Sequence, residues 1–297
     1  METDVNPVRT GALCAKEGGG VKPPSEIVDV PPIEVGGVSN GVKDAKYIYC
    51  IIPTDKPETF GQLGIGGRRD VVYTVSFNDI AAVVSDSPLS EYSTSRDNLI
   101  SHERAIEQVM KQYNVLPVRF NTIAEDENKI MRILEKTYDN FKDLLEQNEN
   151  RKELGLRALF DMDIVYEEVM EKNEEIKALK IKAEKLPPGK NYYQCVEIGR
   201  LVEAALEQEK EEHEKNIMDT LSPLAVDVRA NKSYGDRMIV NAAFYIERQI
   251  EEEFDRKIYD LDEEYGYKIK FKYITTVPPF NFINIVINTK EYQDVSD

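Results

Sequence analysis

Cysteine is scarce in this chain. Cys14, Cys50 and Cys195 are an odd number, widely scattered, and none forms a C-x-x-C pair. That pattern argues against a zinc site and a disulfide framework, and fits a reducing cytosol. Histidine is scarcer still: His102 and His213 alone cannot furnish a histidine-rich metal centre. No stretch approaches the roughly 18 apolar residues that a membrane helix requires. The longest apolar-leaning run, residues 238–246, is interrupted by Asn241 and has the length of one buried strand. Glu2 and Asp4 stand where a secretory signal would be basic, and no apolar segment follows them. A cytoplasmic location is therefore expected. Positive charge is also in deficit. Lys and Arg number 38 against 55 Asp and Glu, a net charge of −17. With a pI near 4.8, nucleic acid and anionic lipid membranes are poor partners, since phosphates would be repelled.

What is present reads as an α+β protein of two domains, the number that 297 residues suggest. Residues 1–45 are rich in Gly and Pro with few large apolar residues, and are expected to form a disordered tail. Residues 46–150 read as an N-terminal α+β domain. Tyr47-Ile48-Tyr49 opens a strand, and Val71 to Val75 and Ile80 to Val84 form a hairpin across Asn78-Asp79. A helix through Leu99, Ile106 and Val109 follows; then Pro117 marks an edge or irregular strand. Glu125, Asp126 and Glu127 open a second helix with the apolar face Ile130, Ile133, Leu134, Phe141 and Leu145. The polar stretch 147–153 marks the expected boundary. In residues 151–297, an extended run over 154–165 precedes a helical hairpin over about 166–219, broken at Leu186-Pro187-Pro188-Gly189. Strands over 224–228 and 237–246, a charged helix over 247–264 and a strand over 267–275 complete a β-α-β-β-α-β order. That succession predicts a ferredoxin-like domain of antiparallel or mixed sheet with packed helices.

No segment carries reaction chemistry. Gly64-Ile65-Gly66-Gly67 precedes a strand, whereas a phosphate-binding loop must open a helix, so a plain loop is expected. His102 sits at helical spacing with Leu99 and Ile106 and reads as a structural histidine without a companion nucleophile. His213 lies in an acidic run and reads as solvated. The acids of residues 251–262 border the apolar stripe Ile250, Phe254, Ile258 and Leu261, which leaves them in water. No catalytic residue, cofactor or metal ligand is expected.

Several segments taken together are more specific. Val115-Leu116-Pro117-Val118-Arg119-Phe120-Asn121-Thr122 follows a helix containing His102-Glu103-Arg104. Later come Asn241-Ala242-Ala243-Phe244-Tyr245-Ile246 and Val277-Pro278-Pro279-Phe280-Asn281-Phe282. In this order they resemble the gas vesicle protein F and L family over about residues 46–287. The family commonly has glycine where Asn121 stands here, and asparagine is the side chain that best tolerates a left-handed turn in its place. The resemblance implies a minor accessory protein that binds the small hydrophobic gas vesicle shell protein, together with other accessory gas vesicle proteins, and assists nucleation of the vesicle without catalysis. An exposed apolar patch on an unassembled shell subunit would associate indiscriminately. An acidic helper could hold such a subunit soluble, by β-augmentation or by taking its helix in a groove. The rival reading is a ligand-sensing regulatory module on ferredoxin-like domains, which would show a compact pocket. His102, Arg119, Phe120, Phe244, Pro278, Pro279, Phe280, Asn281 and Phe282 are the structural or interface candidates. The two proline-flanked segments are expected near the domain junction, the second as a stiff extended arm reached by the Arg119 fork.

Overall fold

The computed structural model describes residues 45–187 and 190–287, so the expected tail lies outside the described residues. These residues group into two compact units, 161–213 on one hand and 45–160 with 214–287 on the other. The larger unit holds two antiparallel sheets.

The first sheet comprises β1 (Ala45–Ile52), β2 (Thr59–Gly61), β3 (Val72–Phe77), β4 (Ile80–Ser87), β5 (Leu116–Pro117) and β6 (Ile123–Ala124), in the order β2-β3-β4-β1-β5 with β6 also on β1. The hairpin falls where Asn78-Asp79 placed it; Asn78 takes φ 52°. Pro117, which has no N–H for an interior ladder, sits at the sheet's margin. Both faces of β1 are buried. A β-bulge between Ile48 and Cys50 puts Tyr47, Tyr49, Cys50 and Ile52 on one face and Ile48 and Ile51 on the other. Helix α1 (Arg96–Met110) covers the tyrosine face with Ala105, Ile106 and Val109. Helix α2 (Glu127–Asn148), capped by the Asp126 side chain on the Lys129 N–H at 2.8 Å, covers the other with Ile130, Leu134, Phe141 and Leu145.

The polar stretch 147–153 is the end of α2, a two-residue link and the start of β7 (Arg151–Phe160). The extended run ends at Phe160, short of the expected Val165, because Asp161 opens α3 (Met162–Lys172). The first limb of the helical region is not continuous either. Asn173 leaves the helix at φ −96°, ψ 104°, and its side chain caps α4 (Glu174–Glu184) through the Glu175 and Ile176 N–H groups. Then comes α5 (Tyr192–Leu221). Val165, Val169, Ile176, Ala183, Ile198 and Val202 are buried, whereas Val196 is exposed. His213 is buried, its Nε2 lying 3.4 Å from Glu209, so the expectation of a solvated histidine is corrected. A heptad-scale count cannot see that a residue in an acidic run faces inward.

The chain then forms β8 (Asp227–Ala230), β9 (Met238–Glu247), α6 (Glu251–Tyr265) and β10 (Ile269–Val277). With β7 they make a four-stranded antiparallel sheet of order β10-β7-β9-β8. Helix α6 packs on one face, Phe254 meeting Phe244 at 5.2 Å and Tyr273 at 6.0 Å between ring centroids. No described helix is long and apolar enough to cross a membrane.

Candidate functional site

The candidates converge on the face of β1 under α1 and on the turn after β10. His102 is 3 % exposed. Its ring stacks on Tyr49 with centroids 5.7 Å apart and meets Phe120 edge-on at 5.7 Å and Phe280 at 5.9 Å. The Tyr47 hydroxyl accepts the Asn121 N–H at 3.0 Å and lies 3.1 Å from His102 Nδ1. Nε2 has no partner of hydrogen-bond geometry, and the Val118 backbone only partly offsets the desolvation. Burial accordingly holds the imidazole pKa down to about 4, and the ring is neutral at physiological pH. Tyr49 is pushed up to about 12 by burial, its hydroxyl taking the Ile65 N–H at 2.9 Å and pairing with Ser85 at 2.9 Å. The neutral imidazole is thus buried among rings, on the α1 face that its helical spacing gives it.

Asn121 takes the left-handed conformation at φ 71°, and its Oδ1 accepts the Tyr92 N–H at 2.8 Å. Asn121→Ala should cost about 2 kcal/mol, combining left-handed strain with a lost hydrogen bond, and Asn121→Gly about 1 kcal/mol or less. Urea denaturation checks the ranking; equal costs would remove the backbone argument.

The second cluster forms where β10 ends. Pro278 and Pro279 are buried, and the chain turns at once: the Ile283 N–H donates to the Pro279 carbonyl at 2.8 Å. The expected stiff extended arm is thus a tight turn, because two prolines that cannot extend the β10 ladder expose carbonyls that the following N–H groups take up. Phe280, 38 % exposed, reaches His102, while Phe282 stacks on Tyr245 of β9 at 4.8 Å. The two rings therefore face different sheets. Beyond the turn, Ile283 and Ile285 enter the α2-side core of the first sheet. Ile285 bridges Val118 in parallel and its carbonyl accepts the Arg119 N–H at 3.1 Å. This link runs through the Arg119 backbone, not through the expected guanidinium fork. Phe244 stands apart, in the core under α6.

The Asn281 N–H and Nδ2 donate to the Glu153 carboxylate at 3.0 and 2.6 Å. Glu153 is 2 % exposed on β7, and burial raises its pKa to about 7, against the lowering by both Asn281 hydrogen bonds. Next to it the Tyr245 hydroxyl donates to the Asn148 side-chain oxygen at the end of α2. Sequence reasoning passed over Glu153 because it sat in a polar run read as a boundary; its alternation with Leu154 was the available signal.

Fold and site together define an α+β scaffold of two antiparallel sheets, joined by a C-terminal turn that is seated in both. The chain belongs to the gas vesicle synthesis protein GvpL/GvpF family, whose description matches residues 45–284. The resemblance drawn from the sequence therefore holds. Gas vesicle protein F of Nostoc sp. is 27 % identical over 244 residues, covering 80 % of this chain and 98 % of that protein. Gas vesicle protein F1 of Halobacterium salinarum is 22 % identical over 250 residues, covering 83 % and 96 %. The crystal structure of GvpF from Anabaena sp. matches with a TM-score of 0.66 at 25 % identity, covering 82 % of this chain and 99 % of that one.

Proposed function

We propose that this chain is a gas vesicle assembly protein, a minor accessory component that binds the small hydrophobic shell protein, assists nucleation of the vesicle and catalyses no reaction. The observation that carries the reading is the exposure of apolar side chains on and just after the turn that follows β10. Phe280 is 38 % and Val286 60 % exposed, while their neighbours Pro279, Ile283 and Ile285 are buried. Side chains held by buried neighbours present apolar surface without the ordering cost of a loose loop. The net charge of −17 keeps a complex with an apolar subunit in solution. The ligand-sensing alternative calls for an enclosed, largely apolar pocket; the cleft beside Glu153, Tyr245 and Pro279 holds about 20 Å³, and the larger hollow of about 710 Å³ on α6 is open and bordered mostly by the charged residues Glu253, Asp255, Arg256, Lys257 and Asp260.

Residues 46–150 and 151–297 are read as two lobes that the turn after β10 orients. The second is read as ferredoxin-like, an interpretation supported by its β10-β7-β9-β8 order. Phe280→Ala should cost about 1–2 kcal/mol, since the ring is only partly buried. It should also weaken capture of the shell protein at least tenfold in a co-purification titration. Crosslinks from the shell protein should map to this turn. Undiminished capture by the folded variant would sink the assignment of this surface.

A further inference from the structure

Among the described residues, the margins of both sheets are defended against pairing with another chain, with one exception. β2 and β6 are three and two residues long, and the β2 register shifts between Thr59 and Gly61. β8 has four residues and carries Asp227 and Arg229. β10 is longer, but it places the exposed Lys270 and Lys272 on its sheet's edge. Short length, bulges and charged side chains are the usual means of blunting an open edge. The exception lies beyond β5. The Val118 N–H points inward to the Tyr49 carbonyl at 2.9 Å, and the next N–H, of Arg119, points outward to the Ile285 carbonyl at 3.1 Å. Residues 283–287 thus run as one more extended segment outside β5, parallel to Val118. Their sequence, Ile283-Asn284-Ile285-Val286-Ile287, holds no charge, proline or glycine, and all but Asn284 are β-branched. That composition favours strand pairing rather than blocking it.

Backbone groups of an extended segment alternate in direction. With Ile285 turned toward Val118, the N–H and C=O groups of Asn284 and Val286 turn away from the sheet. Among the described residues no backbone–backbone hydrogen bond takes up any of these groups. Side chains alternate as well. Ile283, Ile285 and Ile287 pack on the α2-side core, whereas Asn284 and Val286 are exposed, Val286 at 60 %. The core holds the segment in place, so its free edge is ordered before any partner arrives. Outward N–H and C=O groups in fixed register form a template for one more strand.

Resting on the assembly role proposed above, we infer that an extended apolar segment of the shell protein pairs with this edge as an added strand. It takes up the N–H and C=O groups of Asn284 and Val286 and lays an apolar side chain beside Val286. The edge is continuous with the surface assigned to that protein, because Val286 belongs to both. Main-chain hydrogen bonds supply the affinity, and the contact beside Val286 selects an apolar segment. The edge is neutral in a chain of net charge −17, and that contrast decides the occupant. A second copy brings the same −17 to the contact and is repelled. A polyanion meets no cation on residues 283–287. An uncharged apolar strand meets neither obstacle.

Amide hydrogen exchange on the full chain, alone and co-purified with the shell protein, tests the pairing. In the chain alone the Asn284 and Val286 amides should exchange freely, and in the complex they should slow by about tenfold or more. Val286→Pro removes one outward N–H while residue 285 stays extended on Val118. It should fold with unchanged circular dichroism yet capture the shell protein about tenfold more weakly, since a partner carbonyl is left unpaired. Val286→Ala keeps that N–H and should capture better than Val286→Pro. A complex in which both amides exchange as fast as in the chain alone would overturn the pairing and leave the assembly role standing. So would capture by Val286→Pro at wild-type strength. A wild type that captures no shell protein would remove the assembly role, and the pairing with it. Protection of both amides in the chain alone would also overturn the pairing. It would assign the edge to a second copy if protection rises with concentration, and to residues 1–44 or 288–297 if it does not.

Discussion

Ile285→Ala is expected to lower the stability of the larger unit by about 2–4 kcal/mol, although the residue lies only 12 positions before Asp297. Ile285 is 7 % exposed and packs in one core with Ile130, Leu134, Val118 and Ile283. Its removal leaves a void between α2 and the first sheet that the β1–β5 ladder cannot collapse to fill, and the cavity adds to the lost transfer energy. The neighbouring Val286, 60 % exposed, is the control, and Val286→Ala should stay within about 0.5 kcal/mol. The strain propagates. The turn between β10 and Ile283 also seats Phe282 on Tyr245 and Asn281 on Glu153, so loosening one end should open the second sheet in the same transition. Urea unfolding followed by far-ultraviolet circular dichroism and by tyrosine fluorescence reads both sheets. Coincident curves shifted together are expected. Two separated transitions in the wild type would mean that the turn does not couple them.

Glu153 and His102 should give opposite pH dependences that partly cancel in the wild type. Buried Glu153 has a folded pKa of about 7 against a usual 4.5, so the folded state holds the extra proton between those values. Its stabilising effect is present below pH 4.5 and is lost as pH rises to 7, about 3 kcal/mol in all. His102 is the reverse. With a folded pKa of about 4 against 6.5, the unfolded state takes up the proton first, and stability is lost as pH falls from 6.5 to 4, again by about 3 kcal/mol. Glu153→Gln should therefore expose a stability that declines on acidification through that window. His102→Gln should expose one that declines toward neutral pH. Thermal unfolding from pH 4 to pH 8 checks both signs. Parallel profiles in the two variants would show that neither group is desolvated as its packing implies.

Local chemistry made much of this fold legible. The Asn78-Asp79 turn, the Asp126 cap, the edge position of Pro117 and the left-handed Asn121 each follow from one residue's backbone preference, and periodicity gave the face of α2. What escaped was set by contacts distant in sequence. Asn173 could have continued a helix or capped one, and only the packing of Val169 and Ile176 decides. Glu153 reads as a surface acid until Asn281, 128 residues later, is brought onto it. Phe280 and Phe282 alternate about Asn281, and alternation implies a shared side, whereas the turn at Pro278-Pro279 sends them to different sheets. Ile283 and Ile285 gave no sign that they complete a core begun by β1.

The central claim, that this chain holds the small hydrophobic shell protein during gas vesicle assembly, is tested most directly by co-expressing the two and measuring how the shell protein divides between supernatant and pellet after high-speed centrifugation. The account predicts that the shell protein moves to the supernatant and co-elutes with the wild-type chain, and that Phe280→Ala returns most of it to the pellet. A shell protein that pellets equally with and without the wild-type chain would contradict it.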